Sequence, residues 1–316
     1  MMFVMLCHFG SGHTGIRLET LALIRDMLNA GISPVVPGHG SVGYLTLEGH
    51  IGMVMIGEGG ATYQGETLDG AEALKRAGLK PVVLSSKEGL ILLSGTTSVT
   101  AFASLAIYDA QTLSLTADIA GSFTLEVLKG TLMAMDERLM AVRPHPDQIN
   151  TAANIRAILK DSPMLERYRG LRVQDALSIR CMPQLHGPVK KAIKDAQTTL
   201  AIELNSSVDN PLIFDEEDDG AVALMGYNAA KNAYDSMHLA KYILAAELIC
   251  DGQALDCYDD KRCAKGTQAI YDLLRSKVPE MDNDMPLTPY LEAVAQQIID
   301  GAYIRAVEAS TGELKF

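Results

Sequence analysis

Apolar residues recur at helical spacing along most of the chain. From Ile16 to Gly31, Leu18, Leu21, Ile24 and Leu28 fall on one stripe, and Gly31 supplies a common helix stop. The run "SPVVPGHG" that follows breaks the chain with two prolines and two glycines. From Thr97 to Met135, small and apolar residues occur almost all round, the pattern of a helix buried in a bundle. Its Ser, Thr and Asp residues count against a membrane span. Further helices are predicted from about Gly187, from about Asn228, and after "MPLTP", where Pro289 stands near a helix start. "LKPVVLSS", near Leu79, is the main strand candidate, and Asp215 to Gly220, "DEEDDG", reads as a solvated loop. No linker and no internal repeat stands out. The prediction is a mainly α protein, a bundle of long helices, in one domain over 1–316 with an N-terminal part (1–150) and a helical part (151–316).

The chain's 316 residues can bury a large core, and 48% hydrophobic with 21% charged residues is ordinary for a soluble globular protein. A formal net charge of −12 argues against nucleic acid or an anionic membrane as main partner, since phosphate binding needs a basic surface. Five cysteines without a CxxC pair read as reduced thiols in a cytoplasmic protein. The apolar N-terminus lacks a basic leader and cleavage site, and no apolar run is long enough to span a bilayer. His8 and His13 lie five apart, which is wrong for one helical face, so no catalytic metal is expected. His50 reads as a buried, hydrogen-bonded histidine or, alternatively, as a general base. "GEGG", Gly57 to Gly60, lacks the lysine and spacing of a phosphate loop.

Several segments, in one order, resemble the histidine and aromatic amino acid ammonia-lyase family. They are "GSGHTGIRLE", "MLNAGISPVVPGHGSVG", "MVMIGEGGATYQGE", "KEGLILLSGTTS", "RVQDALSIRCMPQLHG", "ELNSSVDNPLIF", "AAELICDGQALD" and "MDNDMPLTPYLEAV". The resemblance implies the long-helix fold shared with aspartases and fumarases, a homotetramer with sites assembled from more than one subunit, and elimination of an amine from an amino acid. It also implies no exogenous cofactor. The family's electrophile is methylidene-imidazolone, which the protein makes from an Ala-Ser-Gly tripeptide, the glycine allowing the close backbone approach that ring closure needs.

The same resemblance exposes a gap. Gly40, Ser41, Val42 and Gly43 match the family's lead-in, but Tyr44 and Leu45 follow directly where the tripeptide and then Asp-Leu are expected. Either the chain lacks the tripeptide, or a fused ring stands there that a run of amino-acid letters does not spell. Gly43, Tyr44 and Leu45 thus mark the electrophile position. Tyr44 either accepts a proton or fills the volume of the lost ring. Ser94 replaces the family's asparagine before Gly-Thr, Leu177 replaces a tyrosine, and the stretch after Phe214 is shortened, so the fold expected is a truncated version. If Ser236 and Met237 match the family's Ser-Met, Lys231 stands at a catalytic position. Tyr44, Ser94 and Lys231 are therefore the catalytic candidates. Gln174 and Arg180 match the family's substrate-binding pair, Arg180 either holding a substrate carboxylate or pairing with an internal acid. Asn205 is a further binding candidate. The resemblance implies a small amino-acid-like, histidine-like substrate. Elimination from a trimethylammonium betaine, which needs no electrophile, is the alternative chemistry, and a non-catalytic assembly protein is the alternative class.

Overall fold

The computed structural model describes residues 1–38, 47–214, 227–283 and 285–316, with side chains of 227–232 excepted. The chain divides into two compact units. The first comprises Met1–Ala106 and Thr198–Tyr234, the second Ile107–Gln197 and Asp235–Phe316.

The first unit packs the helices Met2–Phe9, Leu18–Ala30, Leu47–Met55 and Gly70–Arg76 around Met5, Ile24, Met27, Val54, Met55 and Leu74, all fully buried. Each such side chain contributes roughly 1.5–3 kcal/mol. The helix over Leu18–Ala30 forms as predicted but buries a different stripe. Thr20, Leu23, Ile24 and Met27 face inward, while Leu18 is 84% exposed. Both stripes are apolar; the one chosen also brings the Thr20 hydroxyl 2.7 Å from the buried Glu88 carboxylate. Glu88 accepts as well from the backbone N–H groups of Arg17 (3.1 Å) and Ser85 (2.9 Å) and from the Arg17 guanidinium (2.6 Å). Burial alone would raise the carboxyl's pKa, but the hydrogen bonds from Arg17 and Thr20 outweigh it and hold it at about 2.

A small antiparallel sheet, β1 (Ser33–Pro34), β2 (Gly60–Tyr63) and β3 (Glu66–Asp69), lies in the order β1-β2-β3. Gln64 and Gly65 join β2 to β3 with φ of +50° and +85°, the signature of a tight hairpin. The predicted strand near Leu79 does not form. Pro81 lacks a donor, and Val82 makes one backbone bond, to Met55 (2.9 Å), while Val83 is 86% exposed.

The second unit is helical among its described residues. Its core joins Ile119, Phe123, Ile155, Ile158, Leu248, Ile270, Leu274, Ile298, Tyr303 and Val307. The helix predicted over Thr97–Met135 runs from Thr97 to Val127 and gives way to a 3-10 turn, Leu132–Met135. The helix expected from about Gly187 begins at Met182, carries Pro188 inside it and ends at Leu204. The one expected from Asn228 spans Tyr227–Asp256. The last predicted helix is two, Thr288–Ile299 and Ala302–Thr311, broken where Gly301 takes φ +68°. Deep in this unit the Asp118 carboxylate accepts from Lys190 (2.5 Å) and Asn154 (2.8 Å) and pairs with His186 Nδ1 (2.8 Å). Lys190 and Asp118 are both fully buried, so the ammonium is worth its desolvation only as Asp118's partner. Lys190 and Asn154 also donate to the Lys315 carbonyl, at 3.2 and 2.8 Å.

Candidate active site

In the second unit, the segment from Leu171 to Arg180 forms a loop and one helical turn, Leu177–Arg180. Buried Asp175 pins it: one carboxylate oxygen accepts the Thr131 N–H at 2.7 Å, and the other lies 3.7 Å from Arg172. With that anchor inside, the neighbouring Val173 and Gln174 point outward. Arg180 then donates a hydrogen bond from Nη1 to the Gln174 side-chain oxygen. Among the described residues Arg180 has no carboxylate partner. A guanidinium carries five N–H donors in a planar fork. A neutral amide that engages one arm orients the fork and leaves its charge available for a carboxylate.

Ser94 and Asn205 belong to the first unit. Ser94 is buried at 3% exposure, ahead of the helix that starts at Thr97. The adjacent Gly95 has φ +107°, and a Cβ there would stand 3.0 Å from the Val208 carbonyl oxygen, so only glycine lets the two segments meet. Glu48, from the Leu47–Met55 helix, caps the Thr97 helix by accepting the Ser98 N–H at 2.6 Å. Asn205 is exposed and donates back to Ala201 in the helix it follows (2.7 Å), a structural use of its amide. His50 is half-buried on the Leu47–Met55 helix, not enclosed as the buried reading expected. Gly43, Tyr44 and Leu45 lie outside the described residues, and so does the side chain of Lys231, whose backbone is in the Tyr227–Asp256 helix.

Around Ser94 the fold gathers a polar cluster that sequence reasoning passed over. The Thr96 hydroxyl donates to Glu203. His8, fully buried, sits with Nδ1 3.2 Å from the Thr97 hydroxyl, and its Nε2 has no hydrogen-bond partner among the described residues. Burial pushes the imidazole's pKa below its usual value, against the opposing pull of Glu203. Ser11 and Ser207 share a 2.5 Å hydrogen bond, and Lys87 holds buried Asp209 at 2.6 Å. Glu203 and Asp209 flank Asn205 in "ELNSSVDNP", so the motif was visible; which of its side chains turn inward was not.

The letters of the chain spell no source for the electrophile that the sequence resemblance implies, and its position at Gly43 to Leu45 lies outside the described residues. No Ala-Ser-Gly occurs anywhere in the chain; its two Ser-Gly steps, Ser11-Gly12 and Ser94-Gly95, follow Gly10 and Leu93. Among the described residues no cluster of His, Cys, Asp and Glu is arranged to hold a metal.

Residues 1–224 match the family described as aromatic amino acid lyase. The histidine ammonia-lyase of Alkaliphilus oremlandii is 33% identical over 391 aligned positions, covering 94% of this chain and 77% of that protein. The alignment is longer than the 316 residues of this chain, so the relative carries internal segments that have no counterpart here. Among solved structures, the tyrosine aminomutase from Streptomyces globisporus superposes with a TM-score of 0.91 at 24% identity, covering 99% of this chain and 81% of that one. Ergothionase from Treponema denticola, an ergothioneine-degrading enzyme, superposes with a TM-score of 0.87 at 22% identity over 96% of this chain and 80% of that one. These two likenesses establish the fold, and the family match carries the chemistry. The chain belongs to the aromatic amino acid lyase family and is histidine ammonia-lyase-like, a carbon–nitrogen lyase of the ammonia-lyase type.

Proposed function

We propose that this protein eliminates an amine from a histidine-like amino acid and that Arg180, oriented by Gln174, holds the substrate carboxylate. The observation that carries the reading is the Arg180–Gln174 pair, a guanidinium steadied by a neutral amide and matched by no carboxylate among the described residues. In the elimination a base removes the β-proton, the C–H electron pair becomes the new C=C bond, and the C–N pair departs with the nitrogen. Tyr44 and Lys231 are the acid–base candidates, Ser94 is a further catalytic candidate, and Asn205 a further binding candidate. The protein is cytoplasmic in this reading, serves amino acid catabolism and works as a homotetramer. Supporting self-association, Leu185, Val189, Leu239 and Ile243 each expose more than half of their surface on the second unit's long helices. No helix among the described residues is long and apolar enough to cross a membrane.

A second reading has its own observation, the lack of Ala-Ser-Gly. A trimethylammonium betaine already carries a good neutral leaving group and needs no electrophile, so the same carboxylate clamp and base would suffice.

The test is an assay of the full chain on L-histidine and on its trimethylammonium betaine, with intact mass recorded on the same sample. Turnover of histidine supports the first reading; release of trimethylamine with histidine untouched selects the second. If neither substrate reacts, both are wrong. For whichever substrate reacts, Arg180→Ala should lower kcat/KM by about 100-fold, the loss of a paired charge-assisted contact.

A further inference from the structure

The second unit contains an open cavity of about 850 Å³, and neither Gln174 nor Arg180 lines it. Most of its charged groups are already engaged. Arg138 forks onto Asp136 (2.7 and 2.9 Å), Arg169 pairs with Glu166, and Arg172 donates to the Leu128 carbonyl (3.0 Å). Two lining groups of opposite sign remain. Lys129 has its ammonium 4.6 and 4.9 Å from the ring centres of Tyr168 and Tyr258 and no carboxylate partner among the described residues. Asp161 is exposed and has no partner among them either.

Both residues occupy unusual backbone. Lys129 has φ +56° just past the Thr97–Val127 helix, and Asp161 has φ +55° just past the Pro146–Ile158 helix. Glycine normally takes such a helix-ending position, with asparagine or aspartate as the occasional substitute and lysine seldom. A carboxylate is further disfavoured at a helix C-terminus, where the dipole is negative. Lys129 thus stands against the backbone preference and Asp161 against the helix dipole, and both line the same cavity. Side chains kept in such conformations cluster at sites where they have something to bind.

We propose that this cavity binds a small zwitterion of the α-amino acid class, its ammonium on Asp161, its carboxylate on Lys129 and an apolar body against Tyr168, Leu132 and Leu165. Such a site is independent of the Arg180 clamp and gives the protein a means of sensing amino acid apart from the one it converts.

The test is titration calorimetry of the full chain with L-phenylalanine, 2-phenylethylamine and 3-phenylpropanoate. Binding of L-phenylalanine should survive Arg180→Ala. It should weaken about tenfold or more in Lys129→Asn and in Asp161→Asn, both of which remove a charge with a residue that tolerates positive φ. The two analogues, each missing one charge, should bind wild type correspondingly less well. Circular dichroism of each variant, matching wild type, keeps a folding defect from imitating the result. No binding to wild type, loss of binding in Arg180→Ala, or undiminished binding in folded Lys129→Asn and Asp161→Asn overturns the proposal.

Discussion

Glu88 in the first unit and Asp251 in the second are both buried carboxyls, and they carry opposite protonation states at neutral pH. Glu88 meets a guanidinium, a hydroxyl and two backbone N–H groups, and is held at about 2. Asp251 meets one hydroxyl, Thr124, at 2.8 Å, and that same oxygen lies 2.9 Å from Glu247. A hydroxyl has one hydrogen to give, so two carboxylates on it require a second proton. Burial, with the Thr124 bond pulling weakly the other way and Glu247 adding to it, raises the Asp251 pKa to about 8. Depth does not decide the charge of a buried carboxyl; the count of donors facing it does.

The sharpest way to break that contrast is to take the cation from Asp118, which today resembles Glu88. Lys190→Met should leave it with an amide and a half-buried histidine, and cost about 3–5 kcal/mol in urea unfolding. A loss under 1 kcal/mol would mean that the pair is not what holds this part of the core. Next in size, Glu88→Gln should cost about 3 kcal/mol at pH 7. Because the folded pKa is depressed, Glu88's contribution is present above pH ~4.5 and lost as pH falls towards 2, so wild type and variant should converge in acid. An effect of similar size and opposite pH dependence belongs to Asp251→Asn. The folded pKa is raised here, so Asp251's relative stabilisation is present below pH ~4 and drains away as pH rises through 8. With the carboxyl raised from its ordinary value to about 8, the variant's stability relative to wild type should rise by about 4 kcal/mol between pH 5 and pH 9, as read from thermal or urea unfolding at the two pH values. Equal stability at both would place the second proton elsewhere.

Much of the long-helix architecture was legible because those helices are set by local apolar density. The Thr97–Val127 and Tyr227–Asp256 helices begin within a residue of where the pattern places them. The Leu18–Ala30 helix shows the limit: two stripes compete, and the buried one carries a hydroxyl that bonds a carboxylate 68 residues away, a contact that local periodicity does not encode. The Gln64–Gly65 hairpin had a sequence signal, glycine after a polar residue between β-prone runs, but it is short enough to be overlooked. Gln174 and Arg180 were found from the motif, and their mutual hydrogen bond was not, since Asp175's anchor on Thr131 sets the loop that brings them together. The Thr96–Glu203 contact and the Lys87–Asp209 pair join residues more than a hundred positions apart, a link that a single sequence does not encode in its spacing.

That last pair has a consequence for how the chain is born. The first unit is built from residues 1–106 and 198–234, so a ribosome that has delivered Ala106 has not yet made Asp209, the buried partner of Lys87, or Ile213, whose N–H is bonded to the His13 carbonyl at 2.7 Å. Translation must run through the Ile107–Gln197 portion of the other unit before the first can close. Until then Lys87 and the His13 loop wait without their partners, and the nascent chain has a window in which the early half is exposed to proteases and holding chaperones.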